Sequence, residues 1–317
     1  MRLPTARSIA VSPLLFRRLA AVAAVLLGLI VVSGAAVRLT SSGLGCPDWP
    51  RCTSTSLVAP ATYHALIEFV NRVVTSVVGV FVGIVALASL LRTPRRRDLV
   101  WLSWALIGGF VGQAVVGGLS VLYKLSPGWV MAHFLLSMLL VWDGLVLVHR
   151  AHPDWVPRHP EVPRELVVLG RVLVGVAGVV LFLGTVTTGT GPHAGSGEHV
   201  KRLPFPLERV TQLHADSALL LTGLAVATLF AVRLAKAPRV VHQRAWWLAY
   251  AVLAQVAIGY TQYFLNLPPS VVELHVAGAT LLWSATLWLQ LGYTAPAPVR
   301  EEIVLPAVVG EVHHVHL

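Results

Sequence analysis

Charge is scarce in this sequence. Only 12% of its 317 residues are Asp, Glu, Lys or Arg, whereas 56% are hydrophobic, and the mean hydropathy is +0.74. So little charge over so long a chain excludes a soluble domain and points to a polytopic membrane protein. Acidic residues are the scarcest, 14 against 24 basic ones, for a formal net charge of +10. In a soluble protein that balance would suggest nucleic acid; here the placement of the basic residues argues otherwise. Cysteine is nearly absent: Cys46 and Cys52 are the two, and both fall in one loop. Nor is a cleavable signal peptide expected. The first apolar run, Phe16 to Val37, is too long for a signal core, and no small-residue cleavage site follows it.

What the chain does have is long apolar runs. They predict eight helices at about 16–37, 63–91, 99–122, 129–149, 167–189, 208–234, 245–265 and 271–293, each near the roughly 20 residues a bilayer requires. Most basic residues gather before the first helix and after the second (Arg92, Arg95, Arg96, Arg97). Others lie around the fourth-to-fifth connection (Arg150, Arg158, Arg164, Arg171), around the sixth-to-seventh (Arg233, Lys236, Arg239, Arg244), or at Arg300. The positive-inside rule puts both termini and these loops in the cytoplasm of a cell-membrane protein, with an attraction to anionic lipid. The outward loops are then about 38–62, 123–128, 190–207 and 266–270. The first carries Gly45-Cys-Pro-Asp-Trp-Pro-Arg-Cys52 on the oxidising side, either a structural disulfide or a redox-active pair. The chain lacks the CxxC spacing that would favour the second.

The chain repeats itself. Trp104, Gln113, Gly117, Pro127 and His133 recur 142 positions later as Trp246, Gln255, Gly259, Pro269 and His275. Helices one to four and five to eight therefore read as two copies of a four-helix unit, 1–150 and 151–317, the last stretch from about 294 being a disordered tail. Four is even, so the copies share one orientation and relate by a pseudo-two-fold axis along the membrane normal. The expected fold is an all-α pair of tandem four-helix bundles.

Polar residues inside the runs are costly and mark function. Glu68, Asn71 and Arg72 share one face of the second helix. They form either an ion pair that neutralises itself or one wall of a polar-lined site. His133, His214 and His275 lie a turn or two below the outer surface, with His64 at the edge. The same offset maps Asn71 to within one residue of His214. Zinc would ask for three or four ligands, and no carboxylate or thiol stands beside each histidine. A haem needs one or two imidazoles and an apolar slot between helices. His214 and His275 would close one iron from both faces; in the first half His133 would face Asn71, leaving a half-open site. Asp143 and Glu311-Val-His-His-Val-His-Leu317 have no assigned role, although the tail could take a metal.

Several stretches resemble the haem A synthase family: Arg38-Leu-Thr-Ser-Ser-Gly-Leu-Gly-Cys-Pro-Asp-Trp-Pro50, Glu68 with Arg72, Thr188-Gly-Thr-Gly-Pro-His-Ala-Gly195, and the histidine helices. The resemblance covers about residues 16–293. It implies an oxidoreductase that converts haem O to haem A by oxidising a porphyrin methyl to a formyl group. It also implies a haem b cofactor on His214 and His275 in the second half, and substrate haem O in the first half with Glu68 as the catalytic carboxylate. Cys46 and Cys52 match paired cysteines of one branch; Asn71 departs from the usual histidine. Arg72 would hold Glu68 ionised or bind a propionate, while Arg38 and Arg209 would bind propionates or anchor the interface. Implied partners are haem O, the haem O synthase supplying it, an electron donor or acceptor, and the bilayer, but no nucleic acid. A dihaem cytochrome exchanging electrons with quinone and a repeat-built transporter are the alternatives.

Overall fold

The computed structural model describes residues 10–155, 160–197 and 200–294. The expected tail, its histidine tract and Arg158 lie outside them. Eight helices run in order: α1 Pro13–Leu39, α2 Tyr63–Leu91, α3 Arg97–Leu122, α4 Pro127–Arg150, α5 Arg164–Thr190, α6 Leu207–Leu234, α7 Arg239–Phe264 and α8 Pro269–Gly292. Proline punctuates the starts. It opens α1, α4 and α8, where its fixed φ suits the first turn, and it immediately precedes α5, α6 and α7. Ser12 caps α1, its hydroxyl accepting from Leu15 N–H at 3.2 Å.

Seven helices are long and apolar enough to cross a membrane. The exception is α7. Its apolar residues are interrupted by Trp246, Trp247, Tyr250, Gln255, Tyr260 and Gln262, and its first six positions hold Arg239, His242, Gln243 and Arg244. It is still a continuous 26-residue helix packed between α6 and α8. Large apolar side chains face outward around the assembly, among them Leu29, Val80, Leu253 and Leu281 at 58–68% exposure, as a lipid-facing surface requires.

Helices α1–α4 pack as a closed ring, each touching its two neighbours, and α5–α8 pack as a second ring. The rings meet through α1 against α8, α4 against α5, and α4 against α8. Exchanging α1 with α5 and α4 with α8 maps these contacts onto themselves. At the seam, the Trp283 indole N–H of α8 donates to the Met138 carbonyl of α4 at 3.0 Å.

The 142-residue repeat persists in the backbone. The α3–α4 turn places Lys124 and Leu125 at φ 52° and 54°, and the α7–α8 turn places Asn266 and Leu267 at 59° and 61°. Both turns also bond alike, Leu125 N–H to Ser120 O and Leu267 N–H to Gln262 O. Such left-handed pairs without glycine cost roughly 1–2 kcal/mol per residue. Finding them at one offset identifies the turn as part of the repeated unit.

Candidate functional site

Glu68 lies on the second turn of α2, 5% exposed. Its Oε1 accepts from Arg72 Nε (3.2 Å) and Nη2 (2.6 Å), and its Oε2 accepts from Cys46 N–H at 2.8 Å. Arg72 donates further to the carbonyls of Cys46 (3.1 Å), Asp48 (3.1 Å) and Arg51 (3.0 Å). All five guanidinium N–H donors are thereby engaged. Cys46 and Cys52 form a disulfide, so the ion pair fastens the disulfide ring to α2. Gly45 permits this approach: a side chain there would come 2.3 Å from the His64 carbonyl. The Trp49 ring lies over Gly118 of α3, carrying the loop across the mouth of the first bundle. Gly43 N–H donates to Gly195 O at 2.7 Å, and Ser42 bridges Ser196, so this loop is joined to the α5–α6 loop of the second bundle.

Asn71 faces α1, where its Oδ1 accepts from the Ser33 hydroxyl at 2.9 Å. The amide nitrogen left over is a donor, not a metal ligand. His64 is exposed at the rim, with Nδ1 3.0 Å from the Ser42 hydroxyl. His133 packs its ring against Gly117 of α3, and the Gln113 side chain donates to the His133 carbonyl at 2.9 Å. The second bundle repeats the arrangement. His275 packs against Gly259 of α7, with Gln255 donating to its carbonyl at 2.8 Å. His214 of α6 packs against Gly184 of α5.

The His214 and His275 rings meet with their planes at 76° and their centroids 6.3 Å apart. They reach across a gap, because α6 and α8 make no backbone contact with each other. Two metal–imidazole bonds of about 2.0–2.1 Å each take up about 4 Å of such a span, and the two half-rings take up the rest. The His275 Nδ1 is buried without a hydrogen-bond partner, while the backbone of Val180 lies beside the His214 ring and that of Gln113 beside the His133 ring. Among the described residues no three or more metal-binding side chains cluster. The donor set is therefore a pair of imidazoles in an apolar core, which fits a haem iron.

Arg38, at the end of α1, is packed beneath Gly195, with its Nε buried and unpartnered. Glu273 of α8 and Arg202 are its charged neighbours. Arg202 closes the end of α5, donating to the carbonyls of Thr188 (2.6 Å) and Gly191. Its burial pulls the guanidinium below the ordinary arginine value. Arg209 is exposed on the first turn of α6, five residues before His214. His193 is a loop fastener, its Nε2–H donating to Leu267 O at 2.8 Å.

Sequence reading missed Ser33, Arg202 and Glu273. Glu273 had the signal that exposed Glu68, a carboxylate within an apolar run. Ser33 and Arg202 had none, since small hydroxyls and loop arginines are common.

These features define a polytopic membrane protein with imidazoles held in the core of each bundle and a buried carboxylate beneath a disulfide loop. The family model COX15-CtaA, cytochrome oxidase assembly protein, matches residues 17–64 and 58–195, more than half of the chain. The chain belongs to that family. It is 31% identical over 112 residues to the heme A synthase of Lysinibacillus sphaericus (strain C3-41), covering 35% of this chain and 36% of that protein. It is 31% identical over 113 residues to the heme A synthase of Geobacillus thermodenitrificans, covering 35% of each. The chain thus spans about a third of the length of the curated relatives it matches. His214 and His275 lie beyond the residues the family model matches.

Proposed function

We propose that the protein oxidises the methyl group of haem O to the formyl group of haem A. The first bundle takes the substrate and the second holds haem b. The observation that carries this reading is the His214–His275 pair, spaced for a haem iron across an apolar bundle core, in a chain whose relatives are named heme A synthase. Bound haem b would supply one-electron chemistry to the substrate half. His214 and His275 would hold that group, and the notches at Gly184 and Gly259 receive their rings.

In the first bundle His133 holds the substrate iron from one side. Asn71, committed to Ser33, leaves the other side open. The reaction proceeds by successive hydroxylations and loss of water. With water as the oxygen source, each hydroxylation of the methyl carbon would release two protons and two electrons; the electrons would leave to an external carrier, and Glu68 is the group placed to accept a proton or to orient the water. Its Oε1 takes both Arg72 donors and its Oε2 the Cys46 amide, so the carboxylate is held in one orientation for that task. Arg72 has no donor left for a propionate, so its work is to hold Glu68 and the loop. The Trp49 loop excludes bulk water from the mouth. Arg38 and Arg209 are the groups available to the haem carboxylates.

Both termini face the cytoplasm of the cell membrane on this reading, supported by the basic loops at one end and the disulfide at the other. A haem O synthase supplies the substrate, and an external electron carrier completes the cycle. Unbroken helices speak against a transporter, and Glu68 is superfluous in a pure electron carrier. Co-expression with a haem O synthase followed by pigment extraction tests the proposal. Haem A is expected; haem O alone would overturn it.

A further inference from the structure

At the end of the molecule opposite the disulfide loop, a second polar cluster lies between the two bundles, and nothing in the proposed reaction uses it. His149, on the last turn of α4, is 6% exposed, and its Nε2 has no hydrogen-bond partner. Its ring meets that of Trp288 of α8 edge-on, with centroids 6.3 Å apart. Arg244 of α7 lies 4.1 Å over the Trp288 ring and donates from Nη1 to the Trp288 carbonyl at 2.6 Å. Gly292 makes room for it: a side chain there would come 2.9 Å from Arg244 Cδ.

The charged and titratable groups facing His149 are Arg244, Arg150, His152 and Arg17, contributed by α7, α4, the segment after α4, and α1. None is an acid. The acids nearby are mostly committed elsewhere. Asp98, within reach of Arg150, is held by both Nε and Nη2 of Arg96, and Asp154 sits 3.7 Å from His152. Asp143, two turns before Arg150, is within reach of Arg150. Among the described residues Arg17, Arg150 and Arg244 form no ion pair.

A merely solvated basic face does not look like this. In water, long arginine chains splay apart to lower their repulsion, and no imidazole is buried among them. Here Arg244 is pinned on an indole, His149 is enclosed with a free ring nitrogen, and the positive groups come from both bundles. Among the described residues no carboxylate pairs with the arginines of the cluster. Guanidinium forks match phosphate oxygens, and the ring N–H of His149 adds a donor. The cluster stands at the ends of the membrane helices, the depth at which phospholipid phosphates lie. Basic pockets between helices at that depth take anionic headgroups.

The geometry points to a binding site for the phosphate of an anionic phospholipid, formed by Arg17, Arg150, Arg244 and His149 at the seam of the two bundles. The headgroup joins α1 and α4 to α7 and α8, and the acyl chains lie along the apolar exterior.

The test uses the purified full chain in phosphatidylcholine nanodiscs with and without phosphatidylglycerol, read by native mass spectrometry and thermal unfolding. Retained phosphatidylglycerol and a raised unfolding temperature are expected. Each of Arg17→Gln and Arg150→Gln should weaken retention about fivefold. Arg244→Gln could disturb packing at Trp288, so the first two variants carry the test, with haem content as the control for folding. Unchanged lipid retention in the Arg17→Gln/Arg150→Gln double variant would overturn the site. So would equal retention of phosphatidylcholine. Inorganic phosphate at millimolar concentration reproducing the thermal shift would overturn the lipid assignment in favour of a free-anion site.

Discussion

Arg72→Ala should destabilise the protein far more than Glu68→Gln, although each removes one partner of the same pair. Arg72→Ala strips Glu68 of two of its three donors and leaves a buried carboxylate with the Cys46 amide alone. Isolating a buried charge in this way costs about 3–5 kcal/mol. The same change frees the carbonyls of Cys46, Asp48 and Arg51, so the disulfide loop loosens from α2 as well. Glu68→Gln keeps a carbonyl oxygen for Arg72, whose charge remains compensated by the three loop carbonyls. It loses one charge-assisted bond, because its amide cannot accept from both Arg72 and Cys46 at once, and it costs about 1.5–3 kcal/mol. In the double variant no charge is stranded, so the pair should couple by about 2 kcal/mol or more. Denaturant unfolding in detergent of the wild type, both single variants and the double closes the cycle. Equal single costs that simply add would refute the fastening role derived for Arg72. The same variants separate structure from chemistry: Glu68→Gln should keep its haem b and accumulate haem O. Wild-type haem A yield in that variant would remove Glu68 from the mechanism.

His214→Ala and His275→Ala should each lose b-type absorbance in the purified protein; an unchanged spectrum would refute the axial assignment. Gly117→Ala should disturb the His133 ring, since the added methyl would stand 2.8 Å from Cε1, whereas Gly259→Ala, at 3.4 Å from His275 Cε1, should be tolerated; haem content and substrate turnover measure the contrast. Asn71→His should place a second imidazole opposite His133 and give the substrate-loaded protein a new bis-imidazole optical signature at reduced turnover. Cys46→Ser with Cys52→Ser should destabilise the protein by about 2–3 kcal/mol, seen as a lower unfolding midpoint.

The helices were legible because a bilayer requires long apolar runs, and the α2 span of 63–91 agrees with Tyr63–Leu91. The start of α7 was not. It begins at Arg239, six residues before the expected 245, because Arg, His and Gln sustain a helix while lowering its hydropathy. The repeat was legible in side chains, but its left-handed turn residues were not, since Lys124, Leu125, Asn266 and Leu267 include no glycine to announce them. At the site, Glu68, Asn71, Arg72 and the three histidines stood out because polar groups are rare in apolar runs. What they touch was hidden. Three of the five bonds of Arg72 go to backbone carbonyls, which every residue carries, and the pairing of Gly43 with Gly195 joins loops about 150 positions apart.

The two bundles share a frame and differ in their fittings, and the frame explains why the difference is informative. Gln113 and Gln255 hold His133 and His275 by the same carbonyl bond, and Gly117 and Gly259 receive the two rings. A common ancestor of the halves would therefore have presented the same imidazole in each. The divergence lies across the ring of helices. In the second bundle α6 supplies His214, and the core holds two imidazoles. In the first, α2 supplies Asn71, tied to Ser33, and Glu68, tied to a disulfide loop that exists in this half alone among the described residues. Two ligands suit a resident group that stays bound and changes only its charge. One ligand, a carboxylate held in one orientation and a covering loop suit a guest that must enter, react and leave. On the proposed function, a single repeated scaffold houses both halves of the reaction, with one helix face carrying a ligand in the second bundle and a reactive group in the first.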